Sequence, residues 1–452
     1  MEKIEQIKTR LDKINLIFAY VLVFMPLVTL LLGFWSGFSL AMELVYFSVA
    51  YLIFLIFHLP YLGLLGGWKE RIKSWVNFPT IVACVMLVWA LITSFAHGKV
   101  NVTFLHYLGF FEIYICFRKL DKSKYENLIY TFLLVLLISV VCGLIDPHGT
   151  FIPGFHTEGF PYSIEFTNPN YSGYVVAVAL VYVISKLSQQ TTRNEKILFI
   201  SCFVLFSVFL FANGSFVPIS GVVLFGVIMI IFKWIKSKKC PWELLSIFLS
   251  FLIMSILIDL CPWWTKYRNC ADSYLWECVA VFDNIFHTHI YEYFRGDVLA
   301  GADGWDRNAL ALAALKKSCS SVPAFLFGFG PGYYLEIRPH MHLLALWLDF
   351  GIVVPICYML LVGYVVYRFL KNKDNQLSNL TMISCFGVYS IMAFFGSMTF
   401  QSFIYFVPVF AIAYKYICNS DTKENKLEQP KEEMEEIKQK VTKKKKEKIK
   451  EQ

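Results

Sequence analysis

The sequence predicts an all-α integral membrane protein of about twelve transmembrane helices, with a large extracytoplasmic loop between the ninth and the tenth. Three observations carry that prediction. The 452 residues are 57% hydrophobic and 17% aromatic but only 16% charged, and the mean hydropathy of +0.56 is far above that of a soluble domain. The apolar residues come in long runs, and a bilayer core of roughly 30 Å is crossed by about 20 such residues in a helix. The Lys and Arg residues collect in short connections between the runs, so the net charge of +8 reflects topology rather than nucleic-acid affinity.

Taken in order, Met1–Lys13 is charged and amphipathic. The run after it, Ile14–Phe34, is long enough to span and lacks a small-residue cleavage site, so it is expected to remain as the first helix. Further spans are expected at Phe38–Leu64, Pro79–Ala96, Val102–Phe117, Leu128–Ile145, Tyr171–Leu187, Ile197–Ala212, Phe216–Ile235, Leu244–Leu260, His342–Leu370, Leu380–Gly396 and Phe400–Ile417. Basic clusters at Lys69–Lys73, Arg118–Lys124, Arg193–Lys196, Lys233–Lys239 and Arg368–Lys373 fall in alternate connections. The positive-inside rule puts these, with both termini, in the cytoplasm. Residues 1–260 thus hold nine spans, 261–340 the large loop, 341–418 three further spans, and 419–452 a charged cytoplasmic tail too polar to build a core.

Two connections on the other face are rich in polar residues. The first closes with Phe166-Thr-Asn168-Pro-Asn170 ahead of a span, where Asn170 or Ser172 is placed to cap the helix start. The second runs into Pro323–Val354, where Gly328, Gly330 and Gly332 form a turn whose backbone N–H groups suit an anion. Arg338-Pro-His340-Met-His342 follows, at the point where a helix meets water. Taken singly, a glycine turn or a histidine at a helix start is an ordinary feature of membrane proteins.

The rest of the large loop carries Arg268, Arg295 and Arg307, any of which is read as a solvated residue by default. Its four cysteines, Cys261, Cys270, Cys278 and Cys319, permit three disulfide pairings, and no Cys-x-x-Cys or His-x-x-x-His spacing points to zinc. Trp263, Trp264, Trp276 and Trp305 suit interfacial anchoring. Within the spans Glu43, His106, Glu112 and Asp349 are ionisable, Glu112 being the deepest, and such groups are functional candidates by default.

Taken together, the glycine turn, His340, Leu344, Asp349 and Gly351 resemble the signature of the bacterial O-antigen ligase and O-antigen polymerase superfamily. The Phe166–Asn170 turn is similar to another of its motifs, and so is Gly304–Arg307 leading into an Ala/Leu-rich run. Three positions depart from the pattern: Met341 replaces an Asn, Val354 a Gly, and Phe216 the Arg of a Ser-Arg pair. His342 is therefore kept as the alternate for the family histidine.

The resemblance implies a glycosyltransferase of the bacterial inner membrane that works on the extracytoplasmic face without cofactor, metal or nucleotide sugar. Its expected partners are an undecaprenyl-diphosphate-linked glycan as donor, lipid A core or a glycan as acceptor, and membrane lipids, with no nucleic acid. The expected catalytic base is His340, with His342 as alternate. Arg307, Arg338 and the N–H groups at Gly328, Gly330 and Gly332 are expected to hold the diphosphate, with Asn168, Asn170, Asp349 and Gly351 supporting the fold. A repeat-unit polymerase of the same superfamily is one alternative, and a polysaccharide or lipid transporter is another.

Overall fold

The computed structural model describes residues 9–10, 12–25, 27, 40–64, 77–98, 102–146, 169–189, 191–214, 216–261, 307–337, 339, 341–395 and 400–418. Among the described residues all regular structure is helical. The helices are α1 (residues 12–25), α2 (Leu40–Leu64), α3 (Phe78–Ala96), α4 (Val102–Lys119), α5 (Lys122–Ile145), α6 (Pro169–Leu187), α7 (Arg193–Asn213), α8 (Phe216–Ser237) and α9 (Trp242–Asp259). After the large loop come α10 (Arg307–Ser318), α11 (Val322–Phe327), α12 (Tyr334–Ile337), α13 (His342–Phe350), α14 (Val353–Lys371), α15 (Gln376–Phe395) and α16 (Phe400–Cys418).

Local chemistry sets several of the ends. The Asn77 side chain accepts from the Thr80 N–H at 3.0 Å and Pro79 fills an early position whose N–H would have no partner, so α3 starts there. A reciprocal box between Thr192 and Glu195 opens α7. That helix ends at Gly214, whose φ of 70° lets its N–H turn back to the Leu210 carbonyl.

Among the described residues five helices are long and apolar enough to cross a membrane: α3, α5 from Ser123, α7, α8 from Val217, and α14. Shorter apolar stretches lie in α2, α6, α9 and α16. The pattern of exposure points the same way. On α3, Ile81, Val85, Val88, Ile92 and Phe95 recur at helical spacing, each 43 to 64% exposed. A continuous apolar stripe of that kind is costly against water and costs nothing against lipid. The chain thus has the build of a multi-pass helical membrane protein. At its centre α6 is buried all round from Tyr174 to Ile184, packed by α7, α8, α15, α9 and α16.

The expected span His342–Leu370 is corrected. The chain breaks at Gly351 into α13 and α14, because Gly351 adopts φ 75° and leaves the α-helical region. The cause is a contact from α11. A Cβ at Gly351 would stand 1.9 Å from the Leu326 carbonyl oxygen, and the Ile352 N–H donates to the Phe325 carbonyl at 3.0 Å.

Candidate functional site

The short helix α11 is capped by Ser321, whose hydroxyl accepts from the Ala324 N–H at 3.2 Å, and it stops at Gly328. Gly328, Gly330 and Gly332 then take φ values of 67°, 92° and 86°, a region that only glycine enters at little cost. These torsions turn successive backbone N–H groups toward the end of α13. Phe329 donates to the Leu348 carbonyl at 2.7 Å and Gly330 to the Asp349 carbonyl at 3.0 Å.

The turn closes on a side chain. The Gly332 N–H donates to Oδ2 of Asp349 at 3.0 Å, and the Tyr334 N–H to Oδ1 at 2.8 Å. Asp349 is 2% exposed, so its carboxylate is removed from water and is held by charge-assisted bonds. A Cβ at Gly328 would lie 2.6 Å from the Leu348 carbonyl oxygen. The glycine turn is therefore latched onto α13 at backbone distance.

Aromatic side chains brace the latch. Trp347 Nε1 donates to the Phe325 carbonyl at 3.1 Å, and Trp89 Nε1, from α3, to the Phe350 carbonyl at 3.0 Å. The Trp89 ring stacks on Phe327 with centroids 5.2 Å apart. Lys317 lies 5.2 Å above the Phe329 ring. Beside this unit α10, α13 and α14 form an open apolar groove of about 700 Å³, lined by Leu312, Leu315, Met341, Leu344, Trp347 and Met359 among others.

The structure distributes the expected residues as follows. His342 begins α13 and is only 6% exposed, its ring edge-on to Tyr358 with centroids 5.4 Å apart. It belongs to the interior rather than to an aqueous surface. Arg307 begins α10, and its side chain lies outside the described residues, as do Asn168, Arg338 and His340. Arg268, Arg295, Cys270, Cys278 and the four loop tryptophans also lie outside them.

The diphosphate role expected of the glycine N–H groups is revised. Gly328 donates to the Ala324 carbonyl, Gly330 to the Asp349 carbonyl and Gly332 to the Asp349 side chain, so all three serve the protein itself. Gly351, expected as a supporting residue, is where the chain leaving α13 comes against the backbone of α11.

Of the two residues expected to cap α6, the Asn170 side chain lies outside the described residues. Helix α6 starts at Pro169, which places both residues inside its first turn. Ser172 instead accepts from Asn213 Nδ2 at 3.4 Å, joining the start of α6 to the end of α7 next to the position where Phe216 replaces an expected arginine. Sequence reasoning missed Trp89, Trp347 and Tyr358 as parts of the unit. A tryptophan or tyrosine in an apolar run is ordinary, and Trp89 meets Phe350 across most of the chain.

Comparison with protein-family models finds none that matches this chain, and comparison with curated proteins finds none that matches either.

Proposed function

We propose that the chain is a membrane glycosyltransferase of the O-antigen ligase kind, moving a glycan from undecaprenyl diphosphate to an acceptor hydroxyl such as that of lipid A core. The observation that carries the reading is the position of Met341. This residue stands between His340 and His342 in sequence and lines the apolar groove of α10, α13 and α14. A hydrocarbon chain seated in that groove brings its polar head to the histidine segment. Exposed Lys316 and Lys317 at the end of α10 add positive charge nearby.

In this reading His340 takes the proton of the acceptor hydroxyl as the acceptor oxygen bonds to the anomeric carbon. The bond from that carbon to the diphosphate breaks, and the diphosphate leaves with the electron pair. Arg307 and Arg338 bind its oxygens, since guanidinium groups match phosphate geometry and stay charged. The latch fixes the end of α13, the short helix that follows the segment bearing the base. The proposed topology has about twelve spans, both termini cytoplasmic and the large loop on the extracytoplasmic side.

Membranes containing the chain, supplied with an undecaprenyl-diphosphate-linked glycan and a core acceptor, test the reading directly. His340→Ala is expected to reduce transfer by roughly 10²–10⁴-fold. Undiminished transfer by a protein lacking both His340 and His342 overturns it. A polymerase of the same superfamily gives products extended at the glycan instead of the core. The break at Gly351 favours a second reading, a lipid or polysaccharide transporter, because transport sites are often built on interrupted helices. Movement of the lipid-linked glycan across vesicles without a new glycosidic bond selects that one.

A further inference from the structure

Away from the latch, the helices hold a buried carboxyl that no cation meets among the described residues. Glu112, in the middle of α4, is 2% exposed and forms no ion pair among the described residues. Neither of its oxygens meets a well-aligned hydrogen-bond donor there. The cation that α16 brings to α4, Lys415, is engaged with the carbonyls of Arg118 and Leu120 at the end of that helix. Arg10, ahead of α1, and Lys13 within it are exposed, and α3 carries no charged residue.

What surrounds Glu112 is a neutral polar face assembled from three helices. One turn earlier on α4, Gly109 leaves room for Ser48 of α2, whose Oγ would stand 2.4 Å from a Cβ at that position. Ser48 is 1% exposed, adjoins the Glu112 carboxyl, and its hydroxyl has no well-aligned partner of its own. One turn later, the Cys116 carbonyl accepts from Asn15 Nδ2 at 2.8 Å, and Asn15 Oδ1 accepts from the Tyr51 hydroxyl at 2.6 Å. Among the described residues, the titratable side chains of this face are Tyr51 and Cys116, and neither is a cation.

An isolated carboxylate in such surroundings is far more costly than the neutral acid. The Ser48 hydroxyl beside it is neutral, and one neutral hydroxyl does not replace the water that an ionised carboxylate loses on burial. We propose that Glu112 is a proton-binding site enclosed by α1, α2 and α4, with the proton as its ligand and the Ser48 hydroxyl beside it. Release of the proton places a bare charge between three packed helices, so their packing depends on its occupancy. The site is separate from the latch and independent of glycosyl transfer.

Infrared spectroscopy of the full chain in lipid tests this. Glu112→Gln keeps size and neutrality, and its difference spectrum against wild type at neutral pH is expected to show loss of a protonated-acid carbonyl band. Loss of a carboxylate band instead overturns the proposal. A second measurement stands if the variant does not fold. Dicyclohexylcarbodiimide enters apolar phases and reacts with carboxylic acids there. The acid oxygen bonds to its central carbon, the proton passes to nitrogen, and acyl migration gives a stable N-acylurea with no atoms lost. Mass spectrometry of wild type is expected to find the intact adduct on Glu112 and none on exposed Glu126 and Glu243. Absence of the adduct at Glu112 overturns the proposal, and so does its suppression by sodium at fixed pH, which makes the ligand a metal cation.

Discussion

The backbone N–H of Gly332 donates to Oδ2 of Asp349 across 3.0 Å, so the anion held by the glycine turn is one of the protein's own carboxylates. With the Tyr334 N–H on Oδ1 at 2.8 Å, both carboxylate oxygens are bound, and the turn and α13 behave as one piece. Asp349→Asn keeps one acceptor but turns an amide donor toward a backbone donor. The expected loss is about 2–4 kcal/mol, from a weakened bond and an N–H left facing another donor. Thermal unfolding in detergent checks the size of the effect. Limited proteolysis checks its place, with new cleavage expected between Gly328 and Tyr334.

Two glycines of the latch separate crowding from backbone torsion. At Gly332 a Cβ meets nothing within 4 Å, but φ is 86°. Gly332→Ala is therefore expected to cost only the torsional penalty, about 1–2 kcal/mol. At Gly351 the same Cβ stands 1.9 Å from the Leu326 carbonyl oxygen, a backbone atom that cannot swing aside. Gly351→Ala is expected to separate α11 from α13 and to unfold at a much lower temperature than Gly332→Ala. Equal melting temperatures for the two variants contradict this contact.

Trp89 ties α3 to the latch in two ways that a pair of variants distinguishes. Trp89→Phe keeps an aromatic face for Phe327 but removes the donor to the Phe350 carbonyl, at an expected cost of about 1–3 kcal/mol. Trp89→Ala removes the stacking as well and should cost more. Measured against Asp349→Asn in a double-mutant cycle, Trp89→Phe is expected to be non-additive, since Phe350 adjoins Asp349 in the chain.

Much of the helical layout was legible because its signal is only the length of an apolar run. Pro79–Ala96 was expected and Phe78–Ala96 is found; Phe216–Ile235 was expected and Phe216–Ser237 is found. The break at Gly351 was not legible, since apolar residues continue on both sides and the cause, the Leu326 carbonyl, lies in another segment. The glycine turn was recognised as an anion cradle, and Asp349 as part of the same motif. That one fills the other is a fact of packing which spacing does not carry. Nor did composition separate buried α6 from peripheral α3, because lipid and protein interior select the same side chains.

That last equivalence is itself open to test on α3. Val88 lies near the middle of the helix and is 55% exposed, on the stripe that continues through Ile92. On a helix surrounded by water, a lysine at such a site changes stability little. At the centre of a membrane-crossing helix it adds about 2.5–3.5 kcal/mol to the free energy of insertion. Trp89 is the next residue but points to Phe350 and Phe327, so the stripe can be altered without touching the latch. Val88→Lys is therefore expected to reduce the fraction of chains whose α3 inserts, measured by glycosylation-site mapping in microsomes. Protein that does insert should retain the wild-type proteolysis pattern around Gly328. Undiminished insertion of Val88→Lys means that this stripe does not face lipid.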